Sequence, residues 1–262
     1  MTSAEVAQRL GVGTSSVKRW ADQGLLRCVK TPGSHRRFAE DEVERFRRDV
    51  IGLERDAMLH EVDGWVHRLL DGSNQIEVQG ELLAERGRTG AWWAVADRVS
   101  EAVRRVGQCA RDGTIDAERD IEIGNRIDGA VRAAFDWVPP RDGAPVCLLV
   151  LAPGEQHQLG LSLAELCLRE AGWVAQRAEP GADGDRLEKG IERSRASLVA
   201  ASASPAQTDG AALAAWVERA ATAGRARRVR IVLGGSGPWP EEPRATDAVR
   251  VRTFDEFRRL LG

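Results

Sequence analysis

Glu155 and His157, a carboxylate and a histidine two residues apart, are the pair in this sequence best suited to metal chemistry. At that spacing a carboxylate can accept the proton of one imidazole nitrogen, fixing the tautomer and leaving the other nitrogen free to bind a metal. Gly160, three residues on, has no side chain and permits close approach to a bulky group. Two further clusters carry residue types that could surround a ligand: Ser202-Ala203-Ser204 and Gly234-Gly235-Ser236-Gly237. Each feature has a plainer reading as well, a surface loop histidine in the first case and a tight turn at the glycines.

Strands are needed to bring these clusters together. Residues 146–151 are six apolar residues without polar alternation, the pattern of a strand buried on both faces of a parallel sheet, and a helical pattern follows over 161–171. Apolar runs at 174–178, 198–201, 229–233 and 248–251 then alternate with helical patterns near 184–194, 209–223 and 254–261. The alternation predicts a flavodoxin-like, doubly wound α/β domain with a five-stranded parallel sheet over residues 145–262. Ligands of such sheets sit outside the carboxyl ends of the strands, and the three clusters follow the first, third and fourth strands.

Upstream, helical patterns at 55–70, 76–86, 91–110 and 116–135 are separated by breaks at 71–74, 87–90 and 111–113. Short loops between four helices predict an antiparallel four-helix bundle over 54–137, with Trp65, Trp92 and Trp93 in its core. Residues 137–143 read as a linker.

The first 50 residues form a third module. A helix capped by Thr2 or Ser3, with Glu5 completing a capping box, carries Val6, Ala7 and Leu10 on one face. After the turn Gly11-Val12-Gly13, a second helix starting at Thr14 or Ser15 turns Val17 and Trp20 inward and Ser16, Lys18 and Arg19 outward. A hairpin over 27–38 follows, with its turn at Pro32-Gly33 and His35, Arg36 and Arg37 at its basic tip; a helix at 39–50 closes the module. Residues 1–37 carry seven Lys or Arg against Glu5 and Asp22, a local charge of +5 on a chain of net −2. A polar helix between basic elements suits a DNA major groove, with Ser15, Ser16, Lys18, Arg19, His35, Arg36 and Arg37 as candidate contacts. Ordinary solvation of a charged surface is the alternative.

No apolar stretch approaches a membrane span and no signal-peptide pattern is present, so the expected location is the cytoplasm, without membrane contact. Cys28, Cys109, Cys147 and Cys167 are scattered and indicate neither a disulfide framework nor a zinc site.

Residues 2–48 resemble the winged helix-turn-helix of MerR-type regulators, on Trp20, Gly24-Leu25 and the run Gly33-Ser34-His35-Arg36-Arg37-Phe38. Glu155-x-His157-x-x-Gly160 resembles the Asp-x-His-x-x-Gly signature of Rossmann-like cobalamin-binding domains, whose histidine replaces the cofactor's own base as lower cobalt ligand. In that fold a serine after the third strand and a Gly-Gly after the fourth, here Ser202, Ser204, Gly234 and Gly235, enclose the nucleotide tail. The three modules in this order resemble the CarH/LitR class of light-responsive, B12-dependent repressors. The resemblance implies adenosylcobalamin between bundle and sheet, a homo-oligomer (dimer or tetramer) on a double-stranded DNA operator, and release of DNA by light. An enzyme, such as a cobalamin-dependent methyltransferase or mutase subunit, is the weakest reading, because the chain has no catalytic barrel and its N-terminus reads DNA.

One departure stands out. The class carries Trp-x9-Glu-His over the cofactor's upper face, where this chain has Ala110, Asp120 and Ile121. An alanine removes a stacking surface and an isoleucine removes a polar ligand, leaving the corrinoid form open. The alternative is a MerR-type regulator whose C-terminal domain binds haem, another small molecule or only protein.

Overall fold

The computed structural model describes the chain except residues 11–13, 32, 34, 47–61, 142, 180, 205–208, 241–247 and 262, and the side chains of residues 15 and 16. It divides into two compact units, Met1–Gly64 and Trp65–Gly262.

The first unit contains α1 (Ser3–Leu10), α2 (Thr14–Asp22), an antiparallel pair β1 (Val29–Lys30) and β2 (Arg36–Arg37), and α3 (Glu40–Phe46). Thr2 starts α1 through the expected reciprocal bonds: Glu5 N–H donates to Thr2 Oγ1 (3.2 Å) and Thr2 N–H to Glu5 (2.7 Å). Val6, Val17, Trp20, Leu26, Phe38, Val43 and Phe46 form its core, with the Trp20 and Phe46 rings 5.0 Å apart. The predicted turn at 11–13 and the end of the 39–50 helix lie outside the described residues.

The second unit holds the bundle and the sheet together. Its helices are α4 (described over 62–70, entering from the first unit), α5 (Gln75–Thr89), α6 (Trp92–Arg111) and α7 (Ala117–Ala133), with a 3₁₀ turn at Ala134–Trp137. The expected start of α4 at residue 55 lies outside the described residues. The predicted break at 87–90 shrinks to Gly90: α5 runs on through Gly87 because Leu82 and Glu85 are still packed inward, and Gly90 ends it in the left-handed conformation at φ 74°.

Beyond the linker come β3 (Val146–Leu151), α8 (Leu159–Glu170), β4 (Val174–Arg177), α9 (Asp185–Ser194), β5 (Leu198–Ser202), α10 (Gly210–Arg227), β6 (Arg230–Gly234), β7 (Ala248–Arg250) and α11 (Phe254–Leu261). The sheet is wholly parallel, in the order β4-β3-β5-β6-β7, the doubly wound topology that the alternating pattern predicts. Leu148 and Val150 of β3 pack with Leu187, Ile191 and Trp216 of α9 and α10, so the alternate residues Cys147 and Leu149 face α8 on the other side.

Helix α8 is buried from Leu161 through Leu168, because the sheet lies beneath it and α6 and α7 lie above it. Its apolar sequence on every side is what a helix enclosed by two layers requires. Trp92 N–H donates to Glu170 at the end of α8 (2.8 Å), and Asp97 accepts from the N–H groups of Phe254 (2.6 Å) and Asp255 (3.2 Å) at the start of α11. Of the three tryptophans expected in the bundle core, Trp92 is buried, whereas Trp93 is half-buried beneath Arg258 of α11 and Trp65 is half-buried. Docking on the sheet layer has drawn Trp93 out of the bundle. Among the described residues no helix is long and apolar enough to cross a membrane.

Candidate metal-ligand site and nucleic-acid interface

Where β3 ends, Pro153 and Gly154 make a tight turn. Glu155 N–H donates to Ala152 O (3.0 Å) and Gly154 has φ 78°, the type II geometry that Pro-Gly favours. The turn folds Glu155 inward, and its side chain is only 1% exposed. Glu155 Oε1 accepts the backbone N–H groups of Gln156 (2.9 Å) and His157 (2.8 Å) and lies 2.7 Å from His157 Nδ1. Its Oε2 accepts the N–H of Ser204, and Ser204 Oγ stands 3.3 Å from His157 Nδ1. Burial alone raises the Glu155 pKa, but the bonds from Ser204 and His157 outweigh it and hold the carboxyl below its ordinary value.

An ionised Glu155 beside Nδ1 keeps that nitrogen protonated and leaves Nε2 as the basic one. The His157 side chain is 51% exposed, and Nε2 has no hydrogen-bond partner among the described residues. One imidazole nitrogen is a single ligand, too few for a bare ion and suited to a metal that brings the rest of its coordination sphere in a macrocycle.

Gly160 lies where α8 begins, and a Cβ there would stand 2.5 Å from Ser202 Oγ at the end of β5. Glycine is therefore what lets the helix start beside that strand. Gly235 (φ 81°) presses on the Ala203 backbone, Gly237 N–H donates to Ala203 O (2.9 Å), and Trp239 Nε1 donates to Gly234 O (2.7 Å). Glu155, His157, Gly160, Ser202, Ser204, Gly234 and Gly235 thus gather at one edge of the sheet.

The bundle overhangs that edge. Asp128 of α7 is 2.5 Å from Ser162 of α8, and Phe135, seven residues later, lies under Arg169, seven residues after Ser162. Helices α7 and α8 therefore run parallel. Ile121, two turns before Asp128 on the same face, projects about 10 Å beyond it, past the first residue of α8. Ile121 is 57% exposed. Helix α6 starts beside the end of α8 and, at 20 residues against 12, overshoots the start of α8 by about 12 Å. Ala110, Asp120 and Ile121 accordingly belong to the α6–α7 corner on the side where the strands end.

Residues that the sequence did not single out complete this edge. Ser162 Oγ also accepts from Arg177 (2.9 Å), which reaches Gln158 (2.9 Å) and Glu165 (3.2 Å). The available signal was polarity out of place: Ser162 and Glu165 interrupt an otherwise apolar helix. Trp239, buried against Trp216, had only the preceding glycines as a cue.

In the first unit, Lys18 and Arg19 are exposed on α2, and His35 and Arg37 are exposed on the hairpin. Ser15 and Ser16 fall on α2, with side chains outside the described set. Arg36 differs from its neighbour. It is paired with Asp22 and mostly covered, so it fastens the hairpin to the end of α2.

Residues 1–49 match the family model described as a helix-turn-helix domain. The first unit is a helix-turn-helix module. No curated protein matches the chain. Among solved structures, the chain is similar to a novel cobalamin-binding protein from Desulfitobacterium hafniense DCB-2, at 13% identity and TM-score 0.40, over 76% of this chain and 96% of that one. It is also similar to the methanol:cobalamin methyltransferase complex MtaBC from Methanosarcina barkeri, at 11% identity and TM-score 0.36, over 78% of each chain. An aminotransferase from Mycobacterium tuberculosis is similar at 15% identity and TM-score 0.28, over 73% of this chain and 60% of that one. These TM-scores are low, and the fold assignment rests on strand order and register.

Proposed function

We propose that the chain is a DNA-binding transcriptional regulator, acting in the cytoplasm as a repressor and not as an enzyme, whose helix-turn-helix is controlled by a corrinoid held at His157. The observation that carries this reading is the alignment of Ser204, buried ionised Glu155 and His157, which leaves an exposed Nε2 as a single metal ligand. A corrinoid would supply a cobalt centre and its light-sensitive chemistry. This chain's residues would hold it: His157 would ligate the metal, Glu155 and Ser204 would orient the imidazole, and Gly160, Ser202, Gly234 and Gly235 would line the adjoining strand ends. The α6–α7 corner would cover it from the bundle side. Ala110 and Ile121 offer it neither an indole nor an imidazole, which favours a corrinoid other than the adenosyl form.

DNA contact is assigned to Lys18, Arg19, His35 and Arg37, with Ser15 and Ser16 on the recognition helix. Arg36 acts by positioning the hairpin. The test is the absorption spectrum of the purified chain after incubation with adenosyl-, methyl- and hydroxocobalamin, in dark and light. A corrinoid spectrum retained through gel filtration supports the reading. A folded protein that retains none overturns it and favours haem or another ligand.

A further inference from the structure

Helix α5 turns Val78, Leu82 and Glu85 into the bundle. Its opposite, outward face is Ile76, Gly80, Leu83, Ala84 and Gly87, all exposed, with Ile76 at 79% and Leu83 at 43%. A helix facing only water carries its charges on the outward face. Here they stand on the flanks, as Glu77, Glu81 and Arg88 on one side and Arg86 on the other. Gly80 and Gly87 are helix-interior glycines at which a Cβ would meet nothing within 4 Å. Among the described residues nothing packs close enough to require a glycine at either position, and each weakens the helix relative to alanine. Large apolar residues separated by glycines on an uncharged face suit a second helix whose backbone comes close.

We infer that this face is an interface between two copies of the chain, α5 against α5 in antiparallel orientation about a two-fold axis near Leu83. The occupant follows from charge. An antiparallel two-fold pair brings the same flank of both helices together with the chain direction reversed, so residues equidistant from the axis become neighbours. Glu77 and Arg88 lie on one flank at nearly equal distances from Leu83, so each Glu77 faces the other copy's position 88. Glu77 also caps its own helix through Asn74 N–H (3.0 Å), and Arg88 also pairs with Glu85. A partner of one sign could complement only one of these two charges, whereas a second copy complements both. The helix-turn-helix module gives the pairing a use, because two recognition helices read two half-sites. The inference does not depend on a corrinoid.

Sedimentation equilibrium of the full chain, without corrinoid, tests it. Wild type should dimerise reversibly. Leu83→Glu and Gly80→Leu should each raise the dissociation constant at least about tenfold, with unchanged circular dichroism because both positions are exposed. Leu83→Cys should form a disulfide-linked dimer on oxidation well above the wild-type background from its own cysteines. A wild type that sediments as a monomer, or variants that associate as tightly as wild type, would overturn the proposal; a monomer would mean that another protein covers the face.

Discussion

The sheet side and the bundle side of the strand-end edge are built in opposite ways. On the sheet side, Glu155, His157 and Ser204 are locked together: one carboxylate takes four bonds and every partner is within reach of a short turn or a neighbouring strand. On the bundle side, Ala110, Asp120 and Ile121 lie at the α6–α7 corner, and Ile121 is more exposed than its chemistry favours. The first is preorganised to hold one ligand in one orientation. The second takes its position from how the bundle is clamped to the sheet layer, which under the proposed reading makes it the side on which specificity is open to change.

Replacing the ligand on the rigid side should have the largest effect. His157→Ala should abolish retention of any cobalamin, read as loss of the visible spectrum after gel filtration; retention at wild-type level would place the metal ligand elsewhere. Next comes the clamp that holds the bundle side. Burial pushes Asp97 up to about 6 against the 3.8 of a free aspartate, and bonds from Phe254 and Asp255 only partly offset it. The folded state therefore keeps the Asp97 proton to higher pH than the unfolded state does. Its contribution to stability is fully present below the unfolded pKa and is lost as pH rises through about 6, by about 3 kcal/mol in all. Asp97→Asn should remove this component, seen as a wild-type-minus-variant unfolding free energy that falls between about pH 4 and pH 6. Parallel pH profiles for the two proteins would show that Asp97 does not titrate there.

Glu155→Gln keeps the shape of the rigid side but weakens its hold on the imidazole, so cobalamin affinity should fall by about 10- to 100-fold without vanishing. Loss as complete as in His157→Ala would mean that Glu155 shapes the loop and does not merely orient the ring. On the bundle side, Ala110→Trp with Asp120→Glu and Ile121→His should shift preference toward adenosylcobalamin by a few-fold, about 1 kcal/mol, in titrations followed by absorbance. Strong adenosyl selectivity in the wild type would show that other residues form that side.

The smallest effect belongs to DNA. Arg37→Ala should shallow the salt dependence of binding by about one unit of log–log slope. Arg36→Ala, which breaks the tie to Asp22, should change stability more than slope. Equal slope losses for both would make Arg36 a phosphate contact after all.

What the sequence determined by itself was whatever depends on short-range pattern. The unbroken run at 146–151 reads as a buried strand because both faces of a parallel sheet are dry, and Pro153-Gly154 dictates the turn that folds Glu155 toward His157. The capping box at Thr2 and Glu5 is local in the same sense. Tertiary structure decided what depends on neighbours far along the chain. That Ser204 closes on Glu155 needs β3 and β5 to be adjacent, and that Ile121 falls past the start of α8 needs α7 to be registered on α8 through Asp128 and Ser162. Trp93 and Arg36 show the same limit: each has a partner, Arg258 or Asp22, that sequence spacing does not reveal. Periodicity specifies which face of an element is apolar, but only packing specifies what covers it.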